Sequence, residues 1–385
     1  MFEHGSSTPA RSRVIANADP GGCLAPHAAE VREALERVLA SGRFILGPEL
    51  RAFEEEFAAW LGGGHCVGVA NGTDAIELAL RAVGVREGDG VVVPANTASA
   101  SVAGILAAGA RPVFCDVDPE TMCIDTDCLN DLPGPLHAVL AVHLYGHPCD
   151  MDRLMALAAR RGLKVVEDCA QAHGAAWAGR SVGIWGDVAA FSFYPTKNLA
   201  ALGDGGGVVT RDPVVAGRIR ALRQYGWQER YVSSGEGGRN SRLDEMHAAV
   251  LRVRLRHLRQ DNHRRGELAS RYFERLVDSQ LRLPPRASAL ATQVWHQYVV
   301  RTPDREGLCA HLAARGVHTQ ALYPVPLHKQ PAFARWAPAQ AGSLVECEGC
   351  CREVLSLPVH PALRDEDVKR VCAEVLAWTK AVERT

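Results

Sequence analysis

No apolar run in this chain approaches the roughly 18 residues that a membrane helix needs, and the opening stretch, MFEHGSSTPARSR, has charges and a proline but no apolar signal core. These absences indicate a cytoplasmic protein without membrane partners, beginning with a disordered tail over residues 1–18. An excess of one charge is missing as well. With 43 basic and 44 acidic residues the formal net charge is -1, so there is no electrostatic footprint for nucleic acid or an anionic membrane. Any anionic substrate has to be recognised locally. Cysteine is plentiful, at 12 residues, but metal-ligand spacing is not. CEGCC at 347–351 has no second ligand pair at a suitable distance, and Cys115, Cys169 and Cys372 stand singly in apolar segments, where free cysteine packs as a small hydrophobe. No metal is expected.

What is present is ample apolar sequence, 47% of 385 residues, enough for one large and one smaller domain. Short β-type runs, HCVGVA (65–70), GVVVPA (90–95), RPVFCDV (111–117), HAVLAVHL (137–144), LKVVEDC (163–169) and VAAFSF (188–193), alternate with helix candidates at 74–83, 98–108 and 150–161. That alternation predicts an α/β fold, a mostly parallel sheet covered on both faces. Ligands should gather at the carboxyl ends of its strands. Beyond GGGVVTRD (205–212) the pattern turns helical, with candidates from Leu243 to about Leu258 and from Arg264 to Leu276. A strand (VWHQYVVRT), a helix (GLCAHLAARG), a proline-rich stretch at 324–338 and a last helix at 365–381 complete a smaller α/β domain. The expected division is 19–258 and 259–385.

Three strand-end features carry chemistry. FSFYPTKNLAALGDGGG (191–207) sets Lys197 between an apolar run and a glycine cluster. Such a lysine either lays its stem over the core edge with its ammonium in water, or sits in a cleft where desolvation frees a neutral amine for a Schiff base. ANGTDAIELAL runs from strand to helix, so Gly72 and Thr73 lie where free amides make an anion site; the plainer reading is a cap formed by Thr73 or Asp74. Asp168 ends the run LKVVED, as a turn residue or as a carboxylate facing a ligand. A lysine, an aspartate and a phosphate cradle on neighbouring strand ends fit one cofactor, pyridoxal phosphate, whose imine the lysine forms and whose pyridinium nitrogen the aspartate pairs.

With these motifs in order, followed by NSRLDEMHAAVLRVRL and SLPVHP, the chain resembles the DegT/DnrJ/EryC1/StrS family of pyridoxal-phosphate-dependent sugar aminotransferases, a branch of the aspartate aminotransferase fold. The likeness runs from SGRFILGPELRAFEEEFAAW (41–60) to SLPVHP (356–361). It implies a large cofactor-binding domain over 19–258, Lys197 as the Schiff-base lysine, Asp168 at the pyridine nitrogen and Gln171 near the phenolic oxygen. Gly72, Thr73 and Ser192 become phosphate ligands. Asn240, in GGRNSRLDE, becomes a phosphate ligand reaching in from a neighbouring subunit, which implies a homodimer with shared active sites.

The resemblance further implies L-glutamate as amino donor and a nucleotide-linked keto-sugar as acceptor, closest to the branch that acts on 3-keto-6-deoxyhexoses. Lys197 would move the proton as general base and then acid, with ping-pong kinetics. An inosose-type cyclitol is the alternative acceptor. A cofactor-binding protein without catalysis is the alternative from another class, since fold alone never proves activity. Two departures stand out. Ala98 replaces an aromatic residue that stacks on the cofactor in many relatives, and Leu322 replaces a polar residue in ALYPVPLHK, beside the candidate substrate residues Tyr323 and His328.

Overall fold

A seven-stranded sheet organises the larger part of the computed structural model, which describes residues 13–382 apart from 133, 287 and 339–343. Its strands are β1 (His65–Val69), β2 (Gly90–Pro94), β3 (Arg111–Cys115), β4 (Leu136–Val142), β5 (Lys164–Asp168), β6 (Val188–Ser192) and β7 (Gly206–Thr210), in the order β1-β7-β6-β5-β4-β2-β3. β7 was not legible as a strand. It runs antiparallel to both neighbours, whereas β6, β5, β4, β2 and β3 are parallel. The long apolar runs follow from coverage on both faces. Val91, Val93, Leu140 and Val166 pack in one cluster, while Val92, Val139, Ala141 and Val165 pack in another, as a side-chain period of two requires.

The flanking helices are α1 (Ala28–Ser41), α2 (Pro48–Leu61), α3 (Gly72–Ala82), α4 (Ser99–Ala107), α5 (Met151–Arg161) and α6 (Pro213–Leu222). The two helices expected over 243–258 and 264–276 are one continuous helix, α7 (Glu245–Leu276). No proline interrupts it. The polar stretch that suggested a break is stitched to its surroundings instead: Asn262 donates to the His173 carbonyl at 2.7 Å and accepts from Asn198 at 2.9 Å. Leu251, Leu255 and Leu258 of α7 pack with the sheet, and Leu268, Tyr272 and Leu276 pack with the smaller unit.

That unit pairs β8 (Tyr298–Arg301) antiparallel with β9 (Val354–Leu357) and adds α8 (Arg305–Ala314), α9 (Val345–Glu353) and α10 (Asp365–Val382). CEGCC lies in α9, with Cys347, Cys350 and Cys351 buried. Part of the expected tail, residues 1–12, lies outside the described residues. The remainder is packed: Ile15 is buried, and its amide donates to the Gly316 carbonyl at 2.8 Å. Among the described residues, no helix is long and apolar enough to cross a membrane.

Candidate active site

At the carboxyl ends of β4, β5 and β6 the structure brings Gly72, Thr73, Asp168, Gln171, Ser192, Lys197 and Tyr323 around one cavity of about 250 Å³. α3 opens onto it. Its cap is Asn71, not Thr73 or Asp74: the Asn71 side chain accepts from the Asp74 amide at 2.8 Å. The amides of Gly72 and Thr73, the first two residues of the helix, therefore have no intrahelical acceptor, and both residues line the cavity together with Ser192. Glycine is required here by close approach, because a Cβ on residue 72 would lie 2.7 Å from Ser192 Cβ.

Asp168 closes β5 at the cavity floor and is 5% exposed. Ser101 Oγ donates to its carboxylate at 2.9 Å, and the Ala170 amide donates at 3.1 Å. Because the Ser101 hydroxyl hydrogen points to Asp168, Thr97 is the donor in the 3.0 Å contact between the two hydroxyls. Burial pushes the Asp168 carboxyl above its ordinary range, opposed by these donors and by the Lys197 charge. Lys197 follows β6 in a turn held by its own amide on the Tyr194 carbonyl at 2.8 Å. Desolvation lowers its amine to about 8, with Asp168 pulling the other way. Of the two readings of this lysine, the cleft is the one realised.

Gln171 is fixed at both ends, its oxygen accepting from the Tyr145 amide at 2.7 Å and its nitrogen donating to Tyr323 Oη at 2.9 Å. Tyr145 and Tyr323 both have left-handed backbones, with φ of 57° and 62°. For bulky residues that conformation is strained, and such strain concentrates at functional sites. Burial raises the Tyr323 phenol to about 12, keeping it protonated.

His328 is not brought to this cavity. It is buried beside Phe114 and contacts Glu348 at 3.0 Å. Asn240 does not reach it within the chain either; it is exposed, between Arg239, which pairs with Glu77 at 2.7 Å, and the buried Ser241, whose hydroxyl accepts from the Ala70 amide at 3.1 Å. Leu322 is half-buried, its carbonyl accepting from Tyr145 Oη at 3.0 Å. Ala98 borders the cavity at the start of α4.

Sequence reasoning missed Ser101, Tyr145 and the pair His143–Glu167. The Cys149 amide donates to His143 Nδ1 at 3.0 Å, so Nε2 carries the proton that meets Glu167 at 3.1 Å. Glu167 also accepts from the amides of Gly183, Trp185 and Gly186 at 2.7–2.8 Å. These donors hold its carboxyl below the ordinary range despite complete burial. The signal for the pair was a histidine ending one strand candidate and adjacent carboxylates ending the next.

Pyridoxal phosphate fits this donor set: unpaired amides and the Ser192 hydroxyl for a phosphate, a buried carboxylate for a cationic ring nitrogen, and a lysine with a lowered pKa for the carbonyl carbon. The model of the DegT/DnrJ/EryC1/StrS aminotransferase family matches residues 26–376. The chain is 48% identical over 361 residues to the dTDP-3-amino-3,4,6-trideoxy-alpha-D-glucose transaminase of Streptomyces venezuelae, covering 92% of this chain and 94% of that protein. It is 44% identical over 347 residues to the dTDP-3-amino-3,6-dideoxy-alpha-D-galactopyranose transaminase of Aneurinibacillus thermoaerophilus, covering 90% and 94%. Among solved structures, S. venezuelae DesV in complex with a ketimine intermediate superposes with a TM-score of 0.92 at 46% identity, over 96% of this chain and 99% of that one. With the family model matched over residues 26–376 and a relative 48% identical over 92% of the chain, the chain belongs to the DegT/DnrJ/EryC1/StrS aminotransferase family.

Proposed function

We propose that this protein transfers an amino group from L-glutamate to a nucleotide-linked 3-keto-6-deoxyhexose, as a cytoplasmic homodimer. The observation that carries the reading is the convergence of Lys197, Asp168 and the Gly72–Thr73 amides on one cavity. Preference for the 3-keto position is supported by the two relatives whose names place the amino group at that carbon. Bound pyridoxal phosphate supplies an electron sink for the carbanion formed at the donor carbon. Asp168 keeps the ring nitrogen cationic, its negative form stabilised by Ser101 and the Ala170 amide. Lys197, with an amine near pKa 8, is able to take a proton and return it close to neutral pH. Gln171 holds Tyr323 at the rim through its 2.9 Å hydrogen bond, and Gly72, Thr73 and Ser192 anchor the phosphate. Asn240 of a second copy would complete that anchor.

Borohydride reduction followed by peptide mapping tests the central assignment: cofactor is expected on Lys197, and Lys197→Ala should take no label. Labelling of another lysine, or none, overturns the assignment. Single-turnover mixing of the aminated enzyme with a panel of keto sugars and keto-cyclitols then identifies the acceptor. Reaction with cyclitols alone would refute the sugar reading.

A further inference from the structure

Where the start of α1 meets α7, one carboxylate and two imidazoles converge. His27 is the residue before α1 and Glu30 lies in its first turn, while His257 belongs to α7, 227 residues beyond Glu30. His257 Nε2 meets Glu30 Oε1 at 3.0 Å. His27 Nδ1 is 4.0 Å from the same oxygen, beyond hydrogen-bonding distance. The three ligand atoms all lie within 4.8 Å of one another. The other carboxylate oxygen, Oε2, accepts from Arg256 Nη2 at 2.8 Å. The two rings stack, with centroids 3.8 Å apart and planes inclined by 15°. Packing of Val31, Ala34 and Val38 against Ala249, Val250 and Val253 sets the helices at this separation. The side chains of His27 and His257 are 13% and 26% exposed, so the cluster is held in place yet open to an ion from solvent.

A hydrogen-bonded pair accounts for His257 and Glu30 but not for His27, whose ring nitrogens have no hydrogen-bond partner among the described residues. Two imidazole nitrogens and a carboxylate oxygen are a donor set that suits zinc and its first-row neighbours. Metal–ligand lengths of about 2.0–2.2 Å place the ligand atoms of a tetrahedral site roughly 3.3–3.6 Å apart. The nearer nitrogen must therefore withdraw slightly from the carboxylate oxygen and the farther one approach it, each by about half an ångström or less. The stacked rings must also turn, because the lone pairs of parallel imidazoles do not converge on one point. Turning about Cβ–Cγ is easy, since that torsion is broad. Arg256 then has the outer-sphere part, orienting the ligating carboxylate. The expectation of no metal came from ligand spacing along the chain, and these ligands are gathered from two helices far apart in sequence.

We infer that His27, Glu30 and His257 form a binding site for a divalent transition-metal ion of the zinc type, with water in the fourth position. The ion ties the start of α1 to α7. Its influence extends toward Lys197 through the short helix Pro20–Leu24, which ends three residues before His27: Pro20 and Cys23 line a small cavity that Lys197 also borders. The three ligands line no part of the proposed cofactor cavity, so the metal site stands independently of the transaminase reading.

Cobalt(II) reports on such a site through its visible d–d absorption, at longer wavelength than the cofactor absorbs. The full-length, cofactor-loaded protein, first stripped with EDTA, is titrated with Co²⁺ and then with Zn²⁺ in competition. One ion per chain is expected, displaced by Zn²⁺. Glu30→Gln and His257→Gln should each weaken binding by more than about tenfold, since loss of even an outer-sphere partner costs that much. His263→Gln, which removes an exposed histidine from the same helix, should leave binding unchanged. If His257→Gln melts early without metal, Glu30→Gln carries the comparison, because its side chain is 41% exposed in the first turn of α1. Hydrogen exchange over residues 20–31 should slow when Zn²⁺ is added to the wild type and stay as it was in Glu30→Gln. Failure to bind Co²⁺ at one equivalent, binding indifferent to Glu30→Gln and His257→Gln, or slowed exchange that persists in Glu30→Gln each overturns the inference and leaves the trio a hydrogen-bonded contact between helices.

Discussion

Lys197 stands in its proposed role at an energetic cost. Its amine is lowered to about 8 chiefly by desolvation, whereas in the unfolded chain it titrates near about 10.4. Below pH 8 both states are charged, so the native cofactor-free protein bears the full cost. Between about 8 and 10.4 the unfolded state binds more protons, and stability therefore rises with pH. Cofactor-free Lys197→Met is expected to exceed the wild type by about 1–3 kcal/mol in urea denaturation at pH 7, after allowance for the partial exposure of the lysine. The advantage should shrink as the pH is raised through that window, and a constant or widening gap would show that the lysine is not desolvated. Lys197 and Asp168 were legible because each stands where an apolar run gives way to a turn, whereas Gln171 followed only from the family resemblance. His143 and Glu167 were not, since their meeting depends on the parallel register of β4 and β5, in which Val142 lies opposite Asp168 and Ala141 opposite Glu167. His328 misled for a related reason: its partner, Glu348, comes from α9, 20 residues on.

At the scale of elements, strand and helix positions followed from apolar periodicity, and the proposal of a phosphate cradle rests on a strand-to-helix junction containing glycine. The cap of α3 was misassigned by up to three residues because Asn71, Thr73 and Asp74 are all good caps, and only the backbone decides among them. Asn71 is extended, with φ of -164°, and its side chain reaches the Asp74 amide. The consequence is chemical, since it leaves the Gly72 and Thr73 amides without an intrahelical acceptor at the cavity wall. Gly72→Ala would push a methyl group against Ser192 Cβ, 2.7 Å away. Overpacking of this kind costs about 1–3 kcal/mol. Here the strain falls between two proposed phosphate contacts, so cofactor affinity, followed by fluorescence titration, should fall by more than tenfold while the melting temperature of the cofactor-free protein falls modestly. Unchanged affinity would place the phosphate elsewhere. The continuity of α7 escaped sequence reading because its middle turns lack an apolar stripe. Those turns contain Asn262, which ties the helix to the loop after β5, and two buried arginines, Arg254 and Arg265.

The whole molecule poses the question of where Asn240 acts. Arg239 and Ser241 pin the segment to α3 and to the end of β1, yet Asn240 between them is exposed and absent from the walls of its own cavity. Close by in sequence, the ribbon of Trp227–Glu229 and Val232–Ser233, with the turn joining its strands, displays Val232 at 54% and Tyr231 at 73% exposure, and Tyr225 just before it is 41% exposed. Apolar side chains held out this far suit contact with a second copy, which is the arrangement the shared-site proposal requires. Mixing two damaged proteins tests it. Lys197→Ala and Asn240→Ala should each be inactive or weak as homodimers. In a two-fold dimer with shared sites, a hybrid has one site carrying both lesions and one carrying neither. Random pairing makes about half the dimers hybrids, so about a quarter of all sites should regain full activity after co-expression or joint refolding. If Asn240 serves its own subunit, every site in the hybrid retains a lesion. Activity would then stay at the average of the two parents, and the shared site would have to be abandoned.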